Sequence, residues 1–339
     1  ASTTANFVNV RLSRSSSSNS RSKSADRDRD NNNNDSEQFP VLELRGHSAP
    51  VYCVSQEQSY SNGRLILSGG GDGDIRLWDT NVHQTVGKYK SAATPWDISF
   101  SPIGYYFATA CADRTVNLYS TDRARQIRLM ANGNGGHMSD VTCVGWHPNG
   151  AMIVSGSDDK TARLWDIRSG QCQRILRSCP SSVSCIGVSP AGDRVAAGTD
   201  TGSIHVWDLV SSAALGILQG HTGPVHSVSF SDNGGALVSG GADCSVRTWD
   251  MESILTPPSS TDKELPRAHA TIPVHQPIRS FHTKFSPVFH VGYSPRNLVL
   301  AGGPFDLLGS GLSDAALQQN GQNEEEVIAS LGLSFAKPI

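Results

Sequence analysis

The chain has 339 residues, 37% of them hydrophobic and 17% charged, with a formal charge of −3. That allows a sizeable core over part of the length and leaves no overall basic field to draw the protein to nucleic acid. No run of 18 apolar residues exists to span a bilayer, the first 25 residues lack the apolar segment of a secretory leader, and seven cysteines without a CxxC pair do not make a disulfide framework, so a reducing compartment is expected.

In chain order, the first predicted element is "NFVNVRLSR" (6–14), an alternating stretch that reads as the inner part of a repeat without its tryptophan. We assign residues 1–13 to the remnant of a first blade. Residues 14–40, a Ser-, Arg- and Asn-rich stretch, hold almost no large apolar side chain to offset the entropy of ordering and read as a disordered linker. Its Arg-Ser pairs raise an RNA-processing reading, which Asp26, Asp28 and Asp30 weaken by interrupting the positive run.

Five similar units then occupy residues 41–250. They close on "DGDIRLWD", "DRTVNLYS", "DKTARLWD", "TGSIHVWD" and "DCSVRTWD", with the closing aromatics Trp78, Tyr119, Trp165, Trp207 and Trp249 spaced by 41, 46, 42 and 42 residues. Between turns such as "SPIG", "HPNG", "SPAG" and "SDNG" lie short alternating stretches; "VTCVGW", "AMIVSGS" and "TARLWD" read as three successive strands. The repeating unit is four-stranded. Residues 251–280 read as a proline-rich loop without periodicity, 281–305 as a closing half-blade built on "SPVFHVGYSPRNLVLAGG", and 306–339 as a polar tail in which "NEEEVIASLGL" has short-helix character. Strands from the two ends are expected to share one blade, because closing the ring removes exposed sheet edges.

Three units repeat the same polar set at the same offsets: His47, Ser68, Asp72 and Trp78; His137, Ser155, Asp159 and Trp165; His221, Ser239, Asp243 and Trp249. Serine, histidine and aspartate raise the possibility of a hydrolase. Nucleophilic catalysis, however, needs one activated group beside an oxyanion site, not three copies in register. We therefore expect structural tetrads that brace each blade, no catalytic residue and no metal or other cofactor. The second and fourth units lack the set and are expected to rely on apolar packing. Cys53, Cys143 and Cys185 share one slot, filled by Asp97 and Ser227 elsewhere, and read as small side chains of the innermost strand. One position earlier, strand alternation points Tyr52, Trp96, Thr142, Ser184 and His226, with Phe289 from the closing hairpin, at the mouth of the central channel, a candidate protein-binding site. Arg123, Arg125 and Arg128 form a basic cluster on the long connection after the second unit, most simply a solvated face.

The period and the Trp-Asp endings resemble the WD-repeat β-propeller family, an all-β class. More narrowly, "PWDISFSPIGYYFATACADRTVNLYSTD" (95–122), together with "GHSAPVY", "GSDDKTARLWD" and "SPRNLVLAGG" in that order, resembles the subunit 5 family of the general transcription factor TFIID. This resemblance implies a seven-bladed propeller, of which five full repeats and partial end blades are present here. It also implies a nuclear, non-catalytic scaffold of TFIID or the related SAGA coactivator that docks a histone-fold pair, with no direct nucleic acid, membrane or small-molecule substrate. The competing reading from the fold is a WD-repeat adaptor that binds a peptide at the mouth.

Overall fold

The structure, a computed structural model, describes residues 7–11 and 41–303 apart from 58–60, 62, 124, 132–134, 256–271, 284–285 and 295–297. The expected linker, the polar tail and its helical stretch lie outside the described residues.

The alternating stretches form antiparallel strands separated by tight turns. β1 (Phe7–Arg11) pairs with β2 (Val41–Arg45). Five sheets of successive strands follow. The first comprises β3 (Val51–Gln56), β4 (Leu65–Gly70), β5 (Asp74–Asp79) and β6 (Gln84–Lys90). The second comprises β7 (Pro95–Phe100), β8 (Tyr106–Cys111), β9 (Val116–Ser120) and β10 (Gln126–Met130). The third comprises β11 (Val141–Trp146), β12 (Met152–Ser157), β13 (Ala162–Asp166) and β14 (Cys172–Leu176). The fourth comprises β15 (Val183–Val188), β16 (Arg194–Thr199), β17 (Ser203–Asp208) and β18 (Ala214–Gln219). The fifth starts with β19 (Val225–Phe230), β20 (Ala236–Gly241) and β21 (Ser245–Asp250).

The region after Asp250 departs from expectation. Residues 256–271 of the expected proline-rich loop lie outside the described residues; the described residues around them add a helical turn, α1 (Glu252–Leu255), and two strands. β22 (Val274–His275) runs parallel to β18 on the outer edge of the fourth sheet. β23 (Arg279–His282) then returns to β21 as the fourth strand of the fifth sheet, with Val246 opposite Phe281. That blade therefore ends near residue 282, and its outer strand was hidden by the long insertion before it. β24 (His290–Tyr293) and β25 (Val299–Gly302) form a separate hairpin.

The same shift of one strand holds throughout. Each repeat begins with the outer strand of one sheet and continues with the inner three of the next, so β2, expected in the first full blade, belongs with β1. The two end pairs have complementary positions: β24 and β25 correspond to the inner two strands of a blade, β1 and β2 to the outer two. The expected shared blade is not formed, since among the described residues no ladder joins β25 to β1.

The core lies between sheets rather than within one. Cys143, Val154 and Leu164 of the third sheet pack against Val183, Val195 and Trp207 of the fourth, and equivalent clusters join every adjacent pair. Leu44 of β2 packs on Ile66 and Trp78, while Val288 and Val291 pack on Val238 and Val246, so both end pairs sit against full blades. Close approach requires glycine at Gly156, where a Cβ would fall 2.5 Å from Val183 and 2.6 Å from the Cys143 sulfur. The "HPNG" turn requires it too: Gly150 has φ +66°, and its missing Cβ leaves room for Ile103 of the neighbouring blade.

Candidate functional site

Each predicted tetrad is assembled across four segments of its repeat. In the third blade, His137 precedes β11, Ser155 lies on β12, Asp159 in the following turn and Trp165 on β13. Trp165 Nε1 donates to Ser155 Oγ at 2.7 Å, Ser155 Oγ and His137 Nε2 are 2.7 Å apart, and His137 Nδ1 lies 2.9 Å from Asp159. The first blade repeats this geometry, with Trp78 to Ser68 at 2.8 Å, Ser68 to His47 at 2.8 Å and His47 to Asp72 at 3.1 Å. So does the fifth, with Trp249 to Ser239 at 2.8 Å, Ser239 to His221 at 2.8 Å and His221 to Asp243 at 2.9 Å.

The proton order follows from the chemistry of the groups. An indole N–H only donates, so the serine oxygen accepts from it and donates its own O–H to His Nε2. An ionised aspartate only accepts, so His Nδ1 carries the remaining proton. Burial depresses the pKa of His137 and of His221, which favours this neutral form. Burial alone would raise the carboxyls, but hydrogen bonds from turn amides and histidine outweigh it. They bring Asp72 and Asp243 to about 2 and lower Asp159 as well. Each aspartate also accepts the amide that follows its histidine (Ser48, Met138 or Thr222), and thereby fastens one turn to the next. No serine here faces open space beside oxyanion donors; its oxygen is engaged on both sides.

Sequence reading missed two contributors. Arg163 and Arg247, each two residues before the closing tryptophan, reach Asp159 and Asp243 at 3.2 and 3.4 Å. Their common offset from Trp165 and Trp249 was the available signal. The second and fourth blades also do more than pack apolar groups. In the second, Ser91, Thr109 and Asn117 surround the Cys111 sulfur at 3.5, 3.4 and 3.2 Å, and Gln126 donates to Asn117. In the fourth, Thr199 engages Thr201 and Ser203, and Trp207 donates to the Arg177 carbonyl. Loss of the histidine set is met by different polar networks.

Of the residues expected at the mouth, Tyr52, Trp96, Thr142, Ser184 and His226 are each the second residue of an innermost strand, and each falls where the register with the next strand shifts. A bulge at that point turns the side chain away from the ladder. Phe289 immediately precedes β24. The structure brings four of the six together in pairs: Tyr52 with Trp96, ring centroids 5.1 Å apart, and His226 with Phe289, 5.0 Å apart. Tyr52, Trp96 and Phe289 are 50%, 38% and 53% exposed. Thr142 and Ser184 instead place their hydroxyls on carbonyls of their own and the next blade, Val183 and Val225 respectively.

Cys53, Cys143 and Cys185 are buried where neighbouring blades meet, the Cys185 sulfur 3.4 Å from the Val225 carbonyl. Asp97 in the same slot is not simply a small side chain. It accepts the Val144 amide of the next blade at 2.9 Å and its own neighbour Ile98 at 2.8 Å, and burial still pushes its carboxyl up to about 6. Arg128 of the basic cluster donates to the Ser169 carbonyl of the third blade, while Arg123 and Arg125 are exposed.

These groups give opposite pH limbs. Asp72 and Asp243 bind protons less readily folded than unfolded, so their contribution is complete above the ordinary value of 3.8 and is lost as pH falls towards 2. Asp97 binds its proton more readily folded, so its contribution is present below 3.8 and is lost as pH rises through about 6. Asp97→Asn is expected to flatten the decline in unfolding free energy between about pH 4 and pH 7 while leaving the acid limb in place, as read by urea titrations across pH. An unchanged profile would rule out this assignment.

The fold and its repeated braces define a protein of WD-repeat blades. The WD domain, G-beta repeat family matches residues 38–79, 83–120, 132–166, 170–208 and 213–250, more than half of the chain, and the chain belongs to that family. Members are generally non-catalytic scaffolds that bind other proteins. Over 131 residues, 39% of this chain and 19% of the relative, it is 40% identical to Transcription initiation factor TFIID subunit 5 of Caenorhabditis elegans. It is 32% identical over 129 residues to Transcriptional corepressor LEUNIG_HOMOLOG of Arabidopsis thaliana, covering 38% of this chain and 15% of that one. It is 30% identical over 147 residues to Nuclear distribution protein PAC1 of Fusarium vanettenii, covering 40% and 31%. The chain spans less than a third of the length of each of these relatives. No helix among the described residues is long and apolar enough to cross a membrane.

Proposed function

We propose that this protein is a non-catalytic scaffold subunit of a nuclear transcription assembly of the TFIID kind, or of the related SAGA kind, and that its blades dock histone-fold subunits. The observation that carries this reading is the 40% identity to a TFIID subunit over 131 residues. The ordered resemblance running from "GHSAPVY" to "SPRNLVLAGG" supports it. The tetrads suit the role. They use their serine, histidine and aspartate to hold turns together, so the first, third and fifth blades present fixed loops to partners and spend these groups on support rather than turnover.

The full chain, tagged and recovered from nuclear extract, is expected to sediment in a high-mass fraction together with histone-fold subunits identified by mass spectrometry. Recovery in a light fraction without such subunits would exclude the reading. A second reading, a peptide-binding adaptor, is favoured by the exposed Tyr52–Trp96 and His226–Phe289 pairs. It does not compete for the same surface if docking uses the blades' other faces.

A further inference from the structure

The channel mouth combines two features that separately mean little. One is the tilted pair of Tyr52 and Trp96, whose exposed rings come from adjacent blades. Contiguous exposed apolar surface rimmed by polar groups marks interaction sites, whereas single exposed apolar side chains are ordinary. The other is an arc of carboxylates. Trp96 Nε1 donates to Asp140 Oδ2 at 3.3 Å, which ties the aromatic pair to the third blade. Asp158, in the turn between β12 and β13, donates its amide to the Asp140 carbonyl at 3.1 Å, so both lie on one lip. Asp200 holds the equivalent place in the fourth blade, and its amide donates to Ser182 at 3.2 Å. Asp158 and Asp200 are both exposed.

The negative charge here is not neutralised from within. The Asp158 carboxyl is raised by partial burial and further by Asp140, Asp200 and Asp159, against a hydrogen bond with Ser182. The bulged positions, the residues just before the inner strands and the first residues of the facing turns include no lysine or arginine among the described blades. Of the cations on the facing turns and strands, Arg163 and Arg247 are engaged on the tetrad aspartates and Lys88 and Lys90 on Asp74, whereas Arg114 is exposed on the turn between β8 and β9. Lys160, exposed on the Asp158 turn, is two residues further along.

We propose that this mouth receives a lysine- or arginine-bearing peptide segment of a partner protein, a cationic head lying against the Tyr52–Trp96 rings and between Asp140, Asp158 and Asp200. Aromatic faces attract cations, and unpaired carboxylates add charge-assisted hydrogen bonds, whereas a phosphate or acidic segment meets like charge. The inference deepens the binding reading above by naming the chemistry of what is bound.

The test titrates the full chain into a short fluorescein-labelled peptide of alternating arginine, lysine and glycine, with glutamate-for-cation and serine-for-cation peptides as controls, at near-physiological salt, and reads anisotropy. The basic peptide is expected to bind saturably and the controls not to bind. Trp96→Ala, and the double change Asp158→Asn with Asp200→Asn, are each expected to weaken binding roughly tenfold or more, while Trp96→Phe retains most of it. Asp122→Asn, which removes a like charge from the cleft beside Tyr105 between the first two blades, is expected to leave it unchanged. The exposed aspartate pair keeps the test decisive should Trp96→Ala fail to fold. Binding of the glutamate peptide, undiminished binding by the aspartate pair, or an equal loss on Asp122→Asn would each overturn the proposal. Failure here with the high-mass assembly intact removes the basic ligand and leaves the scaffold; basic-peptide binding by a light fraction does the reverse.

Discussion

Asp159→Ala is expected to destabilise the protein by about 3–5 kcal/mol, the cost of removing one partner of a buried, multiply bonded charge. The carboxylate accepts from His137, from the Met138 and Thr161 amides, from the Thr161 hydroxyl at 2.6 Å and from Arg163. Alanine leaves the nearly fully buried His137 ring with an unpaired Nδ1–H and Arg163, whose side chain is 6% exposed, without its counter-charge. Asp159→Asn keeps the shape and one acceptor oxygen, and is expected to fall between wild type and alanine. Urea unfolding followed by tryptophan fluorescence reads the effect directly, because Trp165 closes the network. A loss under about 1 kcal/mol would mean that the quartet is decoration rather than support. Comparison with Thr201, which fills the same place in the fourth blade without a histidine partner, supplies an internal control: Thr201→Ala is expected to cost much less.

Phe107→Ala is expected to cost a similar amount, about 3–5 kcal/mol, for a different reason: it empties a fully packed site. Phe107 is completely buried in the second blade, stacked on Tyr119 with centroids 5.0 Å apart and met edge-on by Tyr89 of the first blade at 4.9 Å. Here a tyrosine stands in for the closing tryptophan, and an aromatic cluster adds apolar support beside the Cys111 network that replaces the histidine set. Because Tyr89 belongs to the neighbouring blade, the damage is expected to spread. Amide exchange should quicken in β5 and β6 as well as in β8 and β9, and stay near wild type in β19 to β21. Uniform quickening across all five sheets would show instead that the blades unfold as one unit.

These two sites also show what a linear reading reaches. The tetrads were legible because every member belongs to one repeat and strand lengths hold steady, so an offset of ten residues from the tryptophan falls on the paired strand and an offset of six in the turn that joins the two. Ser155 lies opposite Arg163 and Ile153 opposite Trp165 for the same reason. The bulged positions of Tyr52, Trp96 and His226 were legible by register too. Hidden features were those settled between blades or by non-repeating residues. Asp97 occupies a slot used by cysteine elsewhere and, besides its own neighbour Ile98, accepts from Val144 of the next blade. The Cys111 network replaces the histidine set with residues of no common motif. β23 pairs with β21 across an insertion of nearly thirty residues, and no local periodicity announces a strand whose partner lies so far back. Thr142 and Ser184 sat at the expected positions, yet their hydroxyls turn to neighbouring carbonyls, because a short side chain there meets backbone before it meets solvent.

The one-strand offset between repeat and sheet has a consequence for how such a chain changes length over generations. A duplication or excision that follows the repeat boundaries inserts or removes an outer strand together with the three strands of the next sheet. The new unit is therefore dovetailed into both neighbours at once, and no intermediate gene product has to carry a loose, self-contained wedge. The fifth sheet resists this exchange, since its outer strand at Arg279–His282 comes only after the chain has visited the edge of the fourth. A copy of residues 213–250 would carry β18 with β19, β20 and β21, but not the strand at Arg279–His282 that completes the fifth sheet.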